Sequence, residues 1–490
     1  MIFTLLVGAF IVWALYDWIT CLPYPPFKWP LLFDIPSSLK NYSRFHDYVA
    51  ECFERYNTRT TLIRLPPYRL FVTKDRANVE HILKTKWQDY HAGTGLRGDC
   101  LKDILGRGIF LADGEEWTEQ RKTASKEFSA NKFRTFMSVA FVDYAARLCD
   151  IVANHAKSGK PIDIAAYFFK LTLDAFGYVA FGVDLGGLKG VPQPFAAAFD
   201  NAQERGVQRA LQSHKVIWMT MRALGIGSEK RMKGWMTDCN TFIAGLIEQR
   251  RAKSKTDLGR DVDLLSRLMD VTDGDNKRDD AYLRDMCINF MVAGRDTTAC
   301  GLSWLFYRLA TTPDAEKRLL EEIENILGDA TPNFDNIKDC HYLQACMSET
   351  QRLHPSVPMD PKTAMCDDTL PSGHKVKKGD SVLYMNYSMG RDTEYWGPDA
   401  KEFRPSRWLS AEDGTYQRVD PFLFPAFQAG PRLCLGIDMA HLEMKIATVM
   451  LLQRFTFKLV PRTTPVTYRL TLVLPIKGGL EMTVETRKKA

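Results

Sequence analysis

Phe427-Gln428-Ala429-Gly430-Pro431-Arg432-Leu433-Cys434-Leu435-Gly436 sets one cysteine at the end of a tight Gly/Pro turn. The run from Leu435 to Phe455 then carries apolar residues at Leu435, Met439, Leu442, Ile446, Val449 and Met450, a spacing that predicts a helix. Cys434 is therefore expected at a helix N-terminus, where orphan amides and the macrodipole favour an anion and lower a thiol's pKa. Arg432, two residues earlier, is a second reason for negative charge to reside there. The plain alternative, a buried structural cysteine, suits the other ten cysteines better than this one.

A thiolate held in an apolar pocket is the axial ligand that lets a haem iron favour O–O cleavage. In the frame F-x-x-G-x-R-x-C-x-G, filled by Phe427, Gly430, Arg432, Cys434 and Gly436, the segment resembles the haem-binding signature of the cytochromes P450. Gln428 departs from that pattern, standing where most members carry a small or short polar residue. The resemblance implies a mainly α fold with a small β subdomain, a long central helix over haem, and Cys434 as ligand of the iron.

Working outward, Asp280 to Thr311 keeps Leu283, Met286, Phe290, Met291, Leu302, Leu305 and Leu309 at helical spacing, and Pro313 closes the run. At about 1.5 Å per residue such a helix is roughly 45 Å long, enough to cross a domain. Its middle, Ala293-Gly294-Arg295-Asp296-Thr297-Thr298, joins a glycine to β-branched hydroxyls. That composition weakens a helix locally, so carbonyls and side chains can open toward a cavity. By resemblance this is the oxygen-binding helix. Ala293 and Gly294 then lie beside the haem, with Asp296 and Thr297 as the acid–alcohol pair that delivers protons. A threonine bonded back to its own helix is the bland alternative.

Glu349 and Arg352 lie three residues apart on another helical stretch, so carboxylate and guanidinium share one face. By resemblance Arg407, in Phe403-Arg404-Pro405-Ser406-Arg407-Trp408, joins them in a buried network that fixes the haem-side core without moving protons. Trp117 and Arg121 are one helical turn apart, and both can donate hydrogen bonds to a carboxylate. The resemblance makes them, with Arg432 and Lys362, contacts to the haem propionates.

The 490 residues, 45% hydrophobic and 25% charged, can bury a large core. Eleven cysteines without a C-x-x-C pair exclude a disulfide framework or zinc site and point to a reducing compartment. A net charge of +6 is too mild for nucleic acid. No histidine stands in metal-ligand spacing, and no dinucleotide fingerprint or phosphate loop is present. Electrons must then come from elsewhere, and the resemblance implies NADPH through a separate cytochrome P450 reductase, with cytochrome b5 as a second donor.

Met1 to Tyr16 carries no charge, and apolar character resumes after Asp17 as far as Leu22. Twenty-two helical residues reach roughly 33 Å, one hydrocarbon core. No basic segment precedes them and no clear cleavage site follows. The expected plan is an uncleaved endoplasmic-reticulum anchor at 1–22, a proline-rich linker at 23–36 and a cytosolic catalytic domain at 37–490. A signal peptide or an interfacial segment is the competing reading. Thr61–Pro66 and Arg69–Thr73 read as a hairpin, and His374–Tyr384 and Leu470–Leu474 as further strands.

Gly108–Trp117, Ala293–Thr298, Val357–Lys362 and Ala426–Arg432 extend the likeness to the plant-type fatty-acid ω-hydroxylases, implying a lipophilic substrate and a haem-thiolate monooxygenase. By that analogy Phe110, Phe290, Ala293, Val357, Met359 and Leu472 line the substrate channel, and no carboxylate-binding residue can be assigned. Ala293 replaces the glutamate that links to haem in an animal branch, so the haem b is expected to be non-covalent. An alkane, a sterol or another lipophile is the alternative substrate, and a non-catalytic haem sensor or electron carrier the alternative from another class.

Overall fold

The hairpin forms around Pro66-Pro67 as β1 (Thr60–Leu65) and β2 (Tyr68–Thr73), with Thr60 opposite Thr73. This computed structural model describes residues 32–487 apart from 129–130, 212–214, 253–263, 267–268 and 270–279, together with 12, 15–19, 21, 23–26 and 28–29. β1 and β2 open a sheet ordered β1-β2-β8-β5-β3, where β3 is Tyr90–His91, β5 Asp360–Ala364 and β8 Ser381–Tyr384. β2 pairs in parallel with β8, so the front of the chain is tied to a segment some 310 residues later. A smaller sheet joins β4 (Ile162–Asp163), β10 (Glu481–Thr486) and β9 (Phe455–Leu459).

Two strand expectations are corrected. His374–Tyr384 is not one strand: Lys375–Val376 (β7) pairs only with Asp368–Thr369 (β6), and the chain turns before β8. The break is chemical, because Gly379 sits at φ +92° and the Asp380 carboxylate accepts from the Lys377 N–H at 2.9 Å. Leu470–Leu474 is a loop, flanked by an isolated bridge between Tyr468 and Ile476. Side chains and other loops use its polar groups: the Trp304 indole donates to the Leu474 carbonyl at 2.7 Å, and the Leu474 N–H donates to the Ser356 carbonyl at 3.1 Å.

Helices make up the rest. Those that frame the site are α1 (Phe45–Arg55), α2 (Gly95–Leu105), α3 (Gly114–Phe128), α4 (Ile164–Phe181), α5 (Pro194–Leu211), α6 (Lys215–Leu224), α7 (Asp280–Met291), α8 (Thr297–Thr311), α9 (His341–Leu353) and α10 (Ile437–Arg454). α7 and α8 are one long helix interrupted by a π-turn, Val292–Asp296, where glycine and β-branched residues were expected to loosen it. α4 is apolar on nearly every side because α8 covers it, Phe168 meeting Phe306 at 5.0 Å. Among the described residues it is the one helix long and apolar enough to cross a bilayer, yet it lies buried in the body.

Most of 1–22, the expected anchor, falls outside the described residues. The part described ends on the body: Asp17 pairs with Arg64 at 2.6 Å, and Cys21 is buried beside the sheet. The proline-rich stretch is seated too. Lys28 is fully buried, pairs with Asp34 at 3.4 Å and donates to the carbonyls of Tyr24 and Pro26.

Candidate functional site

The Gly/Pro turn closes on itself through the Cys434 N–H, which donates to the Phe427 carbonyl at 2.9 Å. Gly430 takes φ +65°, and a Cβ there would stand 2.1 Å from the Leu83 carbonyl oxygen, so only glycine lets the turn sit against that segment. Phe427 packs edge-on against His441. Helix α10 begins at Ile437, two residues later than expected, with Gly436 as its N-cap.

Cys434 therefore precedes the helix instead of opening it, and the expected lowering of its pKa is not found. Burial pushes the thiol up, and the hydrogen bond from the Gly436 N–H and the charge of Arg121 offset this only in part. Desolvation outweighs two favourable contacts, so the protein alone holds a thiol, and coordination to a metal is what would remove its proton.

The sulfur faces a cavity of about 340 Å³. Of the residues singled out in the sequence, that cavity is lined by Trp117, Arg121, Lys362, Arg432, Phe427, Gly436, Ala293, Thr297, Phe110, Phe290, Val357, Met359 and Leu472 along with Cys434. Asp296, Gly294 and Gly430 are not on its wall. Gly294 is held off by packing: a Cβ there would lie 2.1 Å from the Phe176 ring of α4.

One side of the cavity is cationic. Arg97, Arg121, Lys362 and Arg432 converge there, against the carboxylates of Asp360 and Asp113. Asp360 takes Arg97 at 2.5 Å and Lys362 at 2.9 Å, and Asp113 takes Arg432 at 2.6 Å. Burial lowers the Lys362 ammonium to about 8 and the Arg432 guanidinium to about 10. The Arg432 Nε is buried without a partner, while its guanidinium lies 4.6 Å from the centre of the Trp117 ring. Four cations facing two carboxylates leave two positive charges uncompensated, and a dianion with two carboxylates would neutralise them. A haem carries two propionates. Gly436 also leaves room beside Sγ, since a Cβ there would meet nothing nearer than 3.8 Å. The donor set fits a haem: one soft sulfur ligand, a cationic end and an apolar remainder.

Two members of that end, Arg97 and Asp360, escaped the sequence reading. Asp360 was findable, because it stands two residues from Lys362 on β5 and so shares its face. Arg97 gave no signal. Gln428, noted as a departure, donates to Asp360 Oδ2 at 2.5 Å and accepts from the Tyr384 hydroxyl at 2.7 Å.

Over the cavity, the Thr297 hydroxyl donates to the Ala293 carbonyl across the π-turn at 2.6 Å. The threonine both bonds back to its helix and lines the cavity, with lone pairs left to accept. Asp296 turns the other way, toward α5: Gln203 donates to its Oδ2 at 2.7 Å and Arg295 to its Oδ1 at 2.9 Å. Arg295 reaches onward to Asp200 at 2.7 Å, whose side chain is about a third exposed. Burial raises the Asp296 carboxyl to about 6, with Arg295 opposing. Sequence spacing brought acid and alcohol together, but gave no hint that α5 holds the acid.

Behind the sulfur loop, Arg352 donates from Nε and Nη2 to the two oxygens of Glu349, each at 2.7 Å, and both side chains are fully buried. Arg407 adds a third cationic contact at 3.2 Å and the Trp408 indole a hydrogen bond at 3.0 Å. Remaining donors of Arg352 reach the carbonyls of Gly390, Ala400 and Glu402.

A family model described as Cytochrome P450 matches residues 23–480. Cytochrome P450 704C1 of Pinus taeda is 39% identical over 491 residues, covering 95% of this chain and 92% of its own. Cytochrome P450 704B1 of Arabidopsis thaliana is 37% identical, covering 94% and 95%, and Cytochrome P450 86B1 of the same plant is 39% identical, covering 85% and 77%. A thiol-lined cavity with a dication end, a π-turn threonine above it and this extent of similarity lead to one conclusion: the chain belongs to the cytochrome P450 family of haem-dependent monooxygenases.

Proposed function

We propose that this monooxygenase hydroxylates long-chain fatty acids at or near the terminal methyl group. The observation that carries the reading is the cavity: apart from the cationic end, no charged side chain among the described residues lines it, and Phe110, Phe290, Val357, Met359 and Leu472 give it an apolar wall. A flexible acyl chain suits such a wall, and attack on a strong terminal C–H bond requires that geometry overrule reactivity.

When bound, haem supplies O2 activation and transfer of one oxygen atom into a C–H bond. The residues have narrower tasks. Cys434 Sγ would ligate the iron, Trp117, Arg121, Arg432 and Lys362 would hold the propionates, and Ala293 offers no carboxylate for a covalent link. Asp200 takes protons from solvent and Asp296 holds them. Arg295, which keeps its own proton, orients the carboxylates instead of relaying. Thr297 Oγ1, whose proton is given to the Ala293 carbonyl, has lone pairs that would accept a hydrogen bond from water in the cavity and so hold a proton donor beside the bound haem. Glu349, Arg352 and Arg407 secure the loop behind Cys434.

Electrons come from NADPH through a separate reductase. Residues 1–22 anchor the enzyme in the endoplasmic reticulum membrane, with the catalytic domain in the cytosol. Exposed apolar residues support a lipid neighbour: Tyr16 and Ile19 within the anchor segment, and Val216, Ile217, Met219 and Leu224 on α6. The test is the full chain with reductase, NADPH and a lipid panel, read by mass spectrometry. Hydroxylated C12 to C18 acids are expected. Product from a sterol or alkane alone overturns the substrate, and absence of any turnover favours a sensor or carrier.

A further inference from the structure

Gln203 and Asp296 are both almost fully buried, and the Gln203 Nε2 donates to Asp296 Oδ2 at 2.7 Å. The amide is carried by α5, which lies close against α2: a Cβ on Gly206, one turn further on, would stand 2.8 Å from the Leu101 side chain. Packing of the helix thus sets where the amide sits. Its other end is unengaged, because among the described residues the buried Gln203 Oε1 has no hydrogen-bond partner. Buried polar atoms are seldom left so. The amide can therefore make a half-turn about its last torsion, exchanging Nε2 and Oε1, without breaking any bond that Oε1 makes.

The carboxylate it meets is asymmetric. Oδ1 accepts from Arg295 Nη1 at 2.9 Å, and Arg295 is held in turn by Asp200 of α5 at 2.7 Å. A proton on Oδ1 would point at a cation, so it is favoured on Oδ2, the oxygen that faces the amide. Around this group the other titratable side chains are Cys300 on α8 and Cys239 on the helix Gly227–Ala252, and burial pushes both thiols up, so they stay neutral. From α4 come uncharged groups, Thr172 donating to the Arg295 carbonyl at 2.9 Å and Phe169 lying under the guanidinium.

We propose that Gln203 is a positioning residue that serves both protonation states of Asp296: Nε2 donates to Oδ2 of the carboxylate, and after a half-turn Oε1 accepts the Oδ2–H of the acid. The amide itself neither gains nor loses a proton. It offers a donor and an acceptor at equal reach, interchanged by one rotation, so a buried acid that cycles is left unpaired in neither state. The inference rests on the proton-holding role proposed above for Asp296. That carboxyl, raised to about 6, is populated in both forms at mildly acidic pH.

The test is infrared difference spectroscopy of the full-length holoprotein between acidic and neutral pH, read without substrate at the carboxylic-acid C=O stretch that Asp296→Asn removes. In Gln203→Met the titration midpoint of that band should rise by about one pH unit, because a hydrogen bond to an ionised group is stronger than one to a neutral group. The band should also move to higher wavenumber, since the acid's O–H has lost its acceptor. Gln203→Asn, which withdraws the amide by one methylene, should shift both in the same sense and decides the matter if Gln203→Met fails to fold. In turnover, Gln203→Met should lower kcat at unchanged KM and move the pH profile with the band. An unmoved midpoint, or a change in KM alone, overturns the positioning role, and a raised midpoint with an unmoved stretch overturns service to the protonated state. Asp296→Asn tests the underlying reading separately: hydroxylation equal to the parent would end the proton-holding role, while the band still decides the grip of Gln203.

Discussion

Gln428 sits at φ +64°, a conformation that costs a non-glycine residue energy, and does so while bridging Asp360 and Tyr384. Its side chain thus pins the sulfur loop to the sheet that carries Asp360 and Lys362 of the cationic end. Gln428→Ala removes two partly buried hydrogen bonds and should cost about 1–3 kcal/mol in denaturant unfolding; a loss below about 0.5 kcal/mol would show the bridge to be idle. His46 illustrates a different residue-scale effect. Its ring is buried among Phe45, Tyr387 and Tyr468 with both nitrogens unpartnered, and burial lowers its pKa to about 3. The unfolded chain accepts a proton near pH 6.5 that the folded chain refuses, so stability is lost as pH falls from about 6.5 toward 3. His441, also lowered to about 3, acts in the same sense, whereas Asp34 and Asp296, raised to about 6, take up protons on folding and act oppositely below pH 6. His46→Phe should flatten the acid limb of stability against pH by about 1.4 kcal/mol per unit. An unaltered slope would refute this. Neither property was legible in the sequence: Gln428 stood out as unusual, but its partners lie far away in the chain, and an isolated histidine carries no sign of its surroundings.

At the scale of elements, the sequence was most readable where local composition decided the outcome. The long helix from Asp280 to Thr311 and its loosened middle followed from spacing and from Gly294 beside β-branched residues. Leu470–Leu474 misled because its apolar residues serve a cavity wall and its backbone bonds to Trp304 and Ser356, partners that alternation cannot reveal. The start of α10 was misplaced by the turn's own chemistry, since Gly436 and not the cysteine caps it. Gly294 also marks where α4 meets the π-turn. Gly294→Ala should destabilise the fold by about 1–3 kcal/mol through overpacking against Phe176. Phe176→Leu in the same chain should recover part of that loss in thermal unfolding, and additive losses would place the strain elsewhere.

For the whole molecule, the Glu349–Arg352 pair is the junction: Glu349 binds α9 to the Arg404–Trp408 segment, and Arg352 donates to the carbonyls of Gly390 and Ala400. The pair of Glu349 and Arg352 was legible from their spacing of three, and Arg407 only through resemblance. Glu349→Gln leaves the buried Arg352 without a counter-charge, while Arg407 keeps Asp399 at 2.8 Å, and should cost about 3–5 kcal/mol, with haem content falling in parallel. Normal haem occupancy in that variant would separate the network from the site. The substrate cavity carries one last implication. Among the described residues, every ionised side chain on its wall belongs to the end that suits propionates, leaving none of them to greet a substrate's own carboxylate. Such an enzyme would measure the tail of its lipid and ignore the head. A methyl ester and its parent acid should therefore perturb the haem spectrum at similar concentrations, and acyl chains still esterified to a carrier would be admissible wherever the entrance is wide enough.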